Sequence, residues 1–379
     1  MCRSWTFIYK KLVTGGLETF ILRLCAFVSE HNVKCKIITN ELSATMLEQL
    51  SECGTYVCKI KKWNFKNISK NIETGDIVIV FSIPIFAFLK EKFLYNKIIL
   101  YCVHPYHLTL QDRKNNHTTK LKRIVFRYLI RTGNETGNII YMDRTIRNAV
   151  FEFYGMENKE QGIVFHLPFE DTDLRKEWKD GENFLILTVC RADFPFKSYV
   201  IGLIDAVKRL KMEGYNIKLN IVSYGKDIRQ IKERIYGQDF IQLIGEIEYD
   251  KLAQIYLNAD INVGMGSTVI EASKYGIPSI QAKVNSPECG TCGFFHENPE
   301  GYGEYEIHED GKAVYEQLKF VLDRGKKYLS EIGKRSRKIF EEEYIINGYY
   351  KKIEAHEIKG QKIIDSLLHR MIYSLYFIK

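Results

Sequence analysis

Short, near-continuous apolar runs alternate along this chain with stretches of helical periodicity, and the alternation occurs twice. The first set of runs lies at residues 5–9, 34–39, 76–81, 97–103 and 138–142. A polar stretch at 170–183 intervenes, and the second set lies at 184–189, 218–222, 241–243, 261–263 and 279–282. Runs without polar alternation are strands covered on both faces, which happens in parallel sheets sandwiched by helices. The expected fold is therefore α/β, two Rossmann-like doubly wound units in series. We place them at residues 1–172 and 173–345, with a helical segment at 346–379. At 379 residues the chain exceeds the size at which one core stops growing, and its 45% hydrophobic content can fill two.

Composition narrows the setting. Nine cysteines, an odd number scattered from Cys2 to Cys292, fit reduced thiols in a cytoplasm better than a disulfide framework. The opening residues lack the basic start and small-residue cleavage site of a secretory signal. The longest apolar stretch, 77–89, contains Ser82 and Pro84 and is too short to span a bilayer. A cytoplasmic protein is expected. Cys289 and Cys292 form one C-x-x-C with His296 beyond, a weak zinc signal, and no metal or cofactor is expected.

The net charge of +8 sits wholly in residues 1–172. Within them, 113–131 carries Arg113, Lys114, Lys120, Lys122, Arg123, Arg127 and Arg131 and no acid. Leu121, Ile124, Val125, Tyr128 and Leu129 recur there at helical spacing, giving a basic amphipathic helix with Lys120, Arg123, Arg127 and Arg131 on its polar side. Such a face is either simply solvated or contacts an anionic surface, phospholipid headgroups or a diphosphate-linked lipid. Nucleic acid is not expected, since no aromatic-basic RNA motif or zinc finger accompanies it.

Several strand ends carry groups suited to phosphate. Thr14-Gly15-Gly16-Leu17 follows the first strand; it is neither G-x-G-x-x-G nor a Walker loop, yet two glycines let backbone N–H groups approach a ligand. In the second unit, Gly264-Met265-Gly266-Ser267-Thr268 opens a helix that Gly276 ends. Its N-terminus offers bare N–H groups, two hydroxyls and the positive end of a dipole. Glu271 lies one turn further in, where it either accepts hydrogen bonds from ribose hydroxyls or merely complements the dipole; Ser267 is equally readable as an N-cap. Arg191, Lys197, Ser223, Gly245 and Gly266 all follow strands of one sheet. Ligands of open parallel sheets bind beyond those strand ends, so two cations and a helix N-terminus there make a diphosphate site.

Residues 184–282 resemble, in this order, the C-terminal domain of the retaining GT-B glycosyltransferases of family 4. Arg191…Lys197 is similar to that family's G-R-L…K-G element, Ser223-Tyr224-Gly225 to its G-x-G turn, and Ala259-Asp260 to its A-D strand. Gly264 through Glu271, with Gly276-Ile277-Pro278, resembles its E-G-F-G-x-x-x-x-E-A…G-x-P block. Gly15-Gly16-Leu17-Glu18 resembles its first glycine loop, and His104 falls where it places an active-site histidine. The resemblance implies two domains facing a cleft, with the last helix packing back on the first. It also implies transfer from a nucleotide sugar with retention and without metal.

By that resemblance Arg191 and Lys197 neutralise the donor diphosphate, while Gly266, Ser267 and Thr268 cap its phosphates. Glu271 holds the ribose, Gly245 and Glu246 face the base, and His104 contacts sugar or acceptor. The implied acceptor is a saccharide or a lipid-linked surface-polysaccharide precursor at the inner membrane face. Two positions depart from the pattern. Val263 stands eight residues before Glu271, where the family has a glutamate, and Cys190 replaces the glycine before Arg191. They keep open a catalytically reduced GT-B partner subunit and a GT-B nucleotide-sugar epimerase.

Overall fold

The computed structural model describes residues 4–13, 16–93, 95–109, 120–156, 162–179, 181, 183–248, 251–300 and 313–358. The chain divides into two compact units, one formed by residues up to Glu170 with the segment from Ile346, the other by Asp171–Ile345. Both are α/β, as the alternation predicts.

The first unit begins β1 (Trp5–Ile8), β2 (Lys11–Leu12), α1 (Gly16–Glu30), β3 (Cys35–Thr39), β4 (Glu41–Leu42), α2 (Ala44–Glu52) and β5 (Tyr56–Lys59). It continues α3 (Phe65–Ser69), β6 (Ile77–Val80), α4 (Ile83–Lys92), β7 (Lys97–Cys102), α5 (Tyr106–Thr109) and α6 (Lys120–Glu135). Next come β8 (Ile139–Tyr141), α7 (Arg144–Tyr154) and β9 (Ile163–Val164). The sheet order is β5-β3-β1-β6-β7-β8-β9, every pair parallel. All side chains of β1 and β6 are buried, so the central strands have no solvent face.

The second unit runs β10 (Phe184–Arg191), α8 (Tyr199–Met212), β11 (Ile217–Tyr224), α9 (Ile228–Ile235), β12 (Ile241–Ile244) and α10 (Leu252–Asn258). It goes on through β13 (Ile261–Gly264), α11 (Ser267–Lys274), β14 (Ser279–Ala282), β15 (Thr291–Phe294), α12 (Val314–Leu322) and α13 (Gly325–Glu343). Its sheet order is β12-β11-β10-β13-β14-β15, parallel except for the antiparallel edge strand β15. Strand order reverses between β10 and β13, which makes the gap past their carboxyl ends the topological switch point.

The final described helix, α14 (Ile346–Ala355), packs into the first unit. Tyr349 lies among Phe20, Tyr101 and Phe165, and Tyr350 stacks on Trp5 at 5.6 Å. The expectation for α6 needs correcting. Its buried seam is Val125, Phe126, Leu129 and Ile130, whereas Ile124 and Tyr128 are 66% and 45% exposed beside Arg123, Arg127 and Arg131. The helical phase is set by packing on the sheet, and it leaves two apolar side chains on the basic side. Arg113 and Lys114 lie outside the described residues. Among those residues no helix is long and apolar enough to cross a membrane.

Candidate functional site

Arg191 is the last residue of β10, its side chain 55% exposed, and it pairs in register with Tyr224, the last residue of β11. Beyond them two loops are tied together. The Ala192 N–H donates to Tyr224 O at 2.6 Å, and the Phe194 N–H donates to the Asp227 carboxylate at 2.8 Å. Gly225, at φ 125°, is required here, because a Cβ would stand 2.6 Å from Ala192 O. Asp193 faces two cations, Arg191 at 3.4 Å and Lys226 at 2.8 Å. Lys197 lies in the turn before α8, its ammonium 5.1 Å from the Phe196 ring centroid. Burial raises the Cys190 thiol, and the Ser223 hydroxyl and then the Lys197 charge partly offset this.

Across the switch point, β13 reaches α11 through Met265 and Gly266 alone. Gly266, at φ 66° and ψ −142°, is the N-cap, and no side chain caps the helix. Only glycine takes that backbone shape at low cost. Ser267 is thus the first helical residue rather than the cap; it is exposed, and the Thr268 hydroxyl donates to Met265 O at 3.1 Å. The N–H groups at the start of α11 therefore face outward with the dipole's positive end. Glu271 follows one turn later with its side chain 8% exposed and Lys274 Nζ 3.7 Å away. Burial, and then the Glu271 charge, push the neighbouring Tyr275 phenol up to about 12.

Other expected residues are placed less uniformly. Gly245 and Glu246 follow β12 and are exposed. Ser223 is not at the open edge: it lies within β11, 1% exposed, its hydroxyl 3.8 Å from the Cys190 thiol. Strand alternation puts it on the face that carries Ile217, Leu219 and Ile221 into the core, and exposes Tyr224 instead. Val263 is fully buried in the same core, so its position faces packing rather than ligand. In the first unit, Gly16 is exposed at the start of α1, while Gly15 lies outside the described residues. His104 follows β7 at the same carboxyl edge. Its Nδ1 accepts the Tyr106 N–H at 3.1 Å, which puts the proton of the neutral ring on Nε2.

Lys226 and Asp193 belong to none of the motifs read in the sequence. The signal each carries in the sequence is a charge two residues past a strand end, Asp193 after β10 and Lys226 after β11. Among the described residues no group of three or more potential metal ligands occurs. Cys289 is buried with its thiol raised by desolvation, and His296 is held below its ordinary value by burial.

Two Rossmann-like units, with phosphate-suited groups at the carboxyl edge of the second, define the GT-B architecture. No family profile and no curated protein sequence matches the chain. Solved structures do. A glycosyltransferase from Rickettsia africae is 14% identical, with a TM-score of 0.63 over 93% of this chain and 100% of that one. HepE of Anabaena in complex with UDP is also 14% identical, with a TM-score of 0.66 over 93% and 98%. TarM of S. aureus, bound to UDP among other ligands, is 10% identical at a TM-score of 0.62 over 92% and 98%. At these identities the similarity is one of fold, and that fold is GT-B.

Proposed function

We propose that this chain is a glycosyltransferase that moves a sugar from a nucleotide-sugar donor, held by the second unit, to an acceptor. The carrying observation is the uncapped N-terminus of α11 beside the Arg191 end of β10, at the switch point of a parallel sheet. Glycosyl transfer builds positive charge on the sugar and negative charge on the departing diphosphate. Placing Arg191, Lys197 and the first N–H groups of α11 where that negative charge grows is the main catalytic lever. Those cations do the work a divalent ion does elsewhere, so turnover should persist in chelator. The leaving phosphate is then positioned to take the acceptor's proton on the same face, which retains configuration. His104 supplies an Nε2–H for a sugar or acceptor hydroxyl, Glu271 a carboxylate for the ribose, and the backbone at Gly245 and Glu246 a wall for the base.

The HepE and TarM structures were solved with UDP, which favours a uridine nucleotide for the first trials. A lipid-linked saccharide acceptor fits the exposed face of α6, where Lys120, Arg123, Arg127 and Arg131 surround Ile124 and Tyr128. The test is a thermal-shift screen across UDP-, GDP-, ADP- and CDP-sugars, followed by turnover of the best. A ligand at 100 times its Kd stabilises by ~2.7 kcal/mol. No shift with any of them removes the proposal.

One observation favours a second reading. Val263 is buried and only two residues join β13 to α11, so no carboxylate stands where the resembling family has its first glutamate. A catalytically reduced partner subunit would bind the donor yet turn over only with its active partner. An epimerase would convert the nucleotide sugar with no acceptor present.

A further inference from the structure

The second unit contains a cavity of about 570 Å³ where β10 and β13 begin, the edge opposite the proposed donor site. Roughly 20 Å of strand, at ~3.3 Å per residue, separates Leu185 on its wall from Arg191. Its lining includes Arg175, Lys176, Lys179 and Lys326 against Glu177 and Asp260. Lys176 and Lys326 each stand 3.3 Å from the Asp260 carboxylate, with side chains 8% and 16% exposed. Asp260 also accepts the Leu185 N–H at 2.9 Å. One carboxylate therefore serves two largely buried ammonium groups and a backbone donor, and Lys176 Nζ otherwise donates to the neutral Asn258 carbonyl at 3.2 Å.

Desolvating an ammonium is costly unless its charge is met. A single Asp260 leaves a net positive charge inside the wall. Burial holds Lys176 below its ordinary value, and the Asp260 charge only partly restores it. Arg175, 40% exposed at the rim, donates to the Thr172 and Leu174 carbonyls, and its one carboxylate contact among the described residues is a long one of 3.8 Å to Glu341, which is itself shared with Arg337. The remaining polar lining, Asn183, Gln254 and Asn258, consists of neutral amides that can both donate and accept. The volume falls in the range of roughly 300–1,000 Å³ that small-molecule pockets occupy. It exceeds what one phosphate fills.

We propose that this cavity is a second ligand site, for a small phosphorylated polyol, with the phosphate between Lys326 and Arg175 and the hydroxyls on the amides. The site is independent of the donor reading, because it uses none of the residues at the carboxyl edge.

Trp178, the one tryptophan of this unit, reports on it: Lys176 Nζ lies 5.5 Å from its ring centroid. Fluorine NMR of the full chain labelled with fluorotryptophan, assigned through Trp178→Phe, is titrated with inorganic phosphate, glucose 6-phosphate and glucose. The Trp178 resonance should move saturably with the first two, at lower concentration for glucose 6-phosphate, and stay still with glucose. Lys326→Gln and Arg175→Gln should each weaken the response about tenfold, and Arg191→Ala should leave it intact. Should Lys326→Gln fail to fold, Arg175→Gln at the exposed rim decides alone. A resonance that ignores both phosphates, answers glucose equally, moves as readily in the folded charge variants, or loses its response in Arg191→Ala overturns the proposal.

Discussion

Arg191 leaves β10 with a carboxylate already 3.4 Å from its guanidinium, so a phosphate arriving there displaces or shares Asp193 rather than meeting a bare cation. Arg191→Ala and Lys197→Ala should each lower turnover at least about tenfold, some 1.4 kcal/mol of barrier, with the fold intact by circular dichroism. Wild-type rates in both would remove the diphosphate assignment. Glu271→Gln should weaken nucleotide binding by calorimetry; unchanged affinity would leave Glu271 as no more than the partner of Lys274. A different residue contributes to the pH response of the first unit. Lys90 is 3% exposed and bonds to the Thr136 hydroxyl at 3.0 Å and to Asn138 Oδ1 at 2.6 Å. Burial lowers it from 10.5 to about 8. Below pH 8 folded and unfolded lysine both hold the proton, and the full desolvation cost stands. Between 8 and 10.5 the folded group releases its proton first, so stability rises with pH, by about 3 kcal/mol at most. Urea midpoints should climb from pH 7.5 to 8.5 in wild type and stay comparatively flat in Lys90→Met. Above that range the buried Cys25 and Cys102 thiols, held up by burial, begin to act in the opposite sense.

Helix α6 shows how an element can satisfy two demands. Arg123 donates to Phe153 O and Arg127 to Gly155 O at 3.0 Å, so these cations cap the carboxyl end of α7. Reversing them would disturb α7 as well as any membrane contact. Lys120, Ile124 and Tyr128 are the cleaner probes. Lys120→Glu with Ile124→Ser and Tyr128→Ser should abolish cosedimentation with anionic liposomes at low salt while nucleotide affinity holds. If the wild type itself stays in the supernatant at low salt, the helix is a solvated face. The error in its phase has a physical source: apolar residues at 121, 124, 125, 128 and 129 are consistent with more than one seam, and packing of Val125 and Phe126 decides between them. Central strands were legible because parallel strands buried on both faces read as unbroken apolar runs. Half-exposed β5 and the short edge strands β9 and β15 carry no such run. At the candidate site, Arg191, Lys197 and the turn at Gly266 were legible from strand-end chemistry. The inward turn of Ser223 depended on β11 extending past Val222, and the Asp193–Lys226 pair joins two loops that no local pattern links.

The order of the chain and the order of its units differ, because α14 follows the whole second unit yet completes the first. Trp5 Nε1 donates to the Glu354 carboxylate at 3.0 Å, and Lys97 Nζ donates to Ile353 O at 2.6 Å. Residues from β1 and β7 are thereby fastened by a segment more than two hundred positions away in sequence. Ile346, Tyr349 and Ile353 are buried there, with Tyr349 against rings from α1 and β7. Large aromatic-to-alanine changes in such a setting cost about 3 kcal/mol or more, from lost transfer energy and the cavity left behind. Ending the chain at Ile345 removes all three side chains and exposes Trp5, Phe20 and Tyr101 together. The expected outcome is loss of hydrogen-exchange protection in β1 and β7, with β10 and β11 still protected. Tyr349→Ala should do the same to a smaller degree. If truncation leaves β1 and β7 protected, α14 is an accessory to the first core; if β10 and β11 open as well, the effect is not one of packing within the first unit.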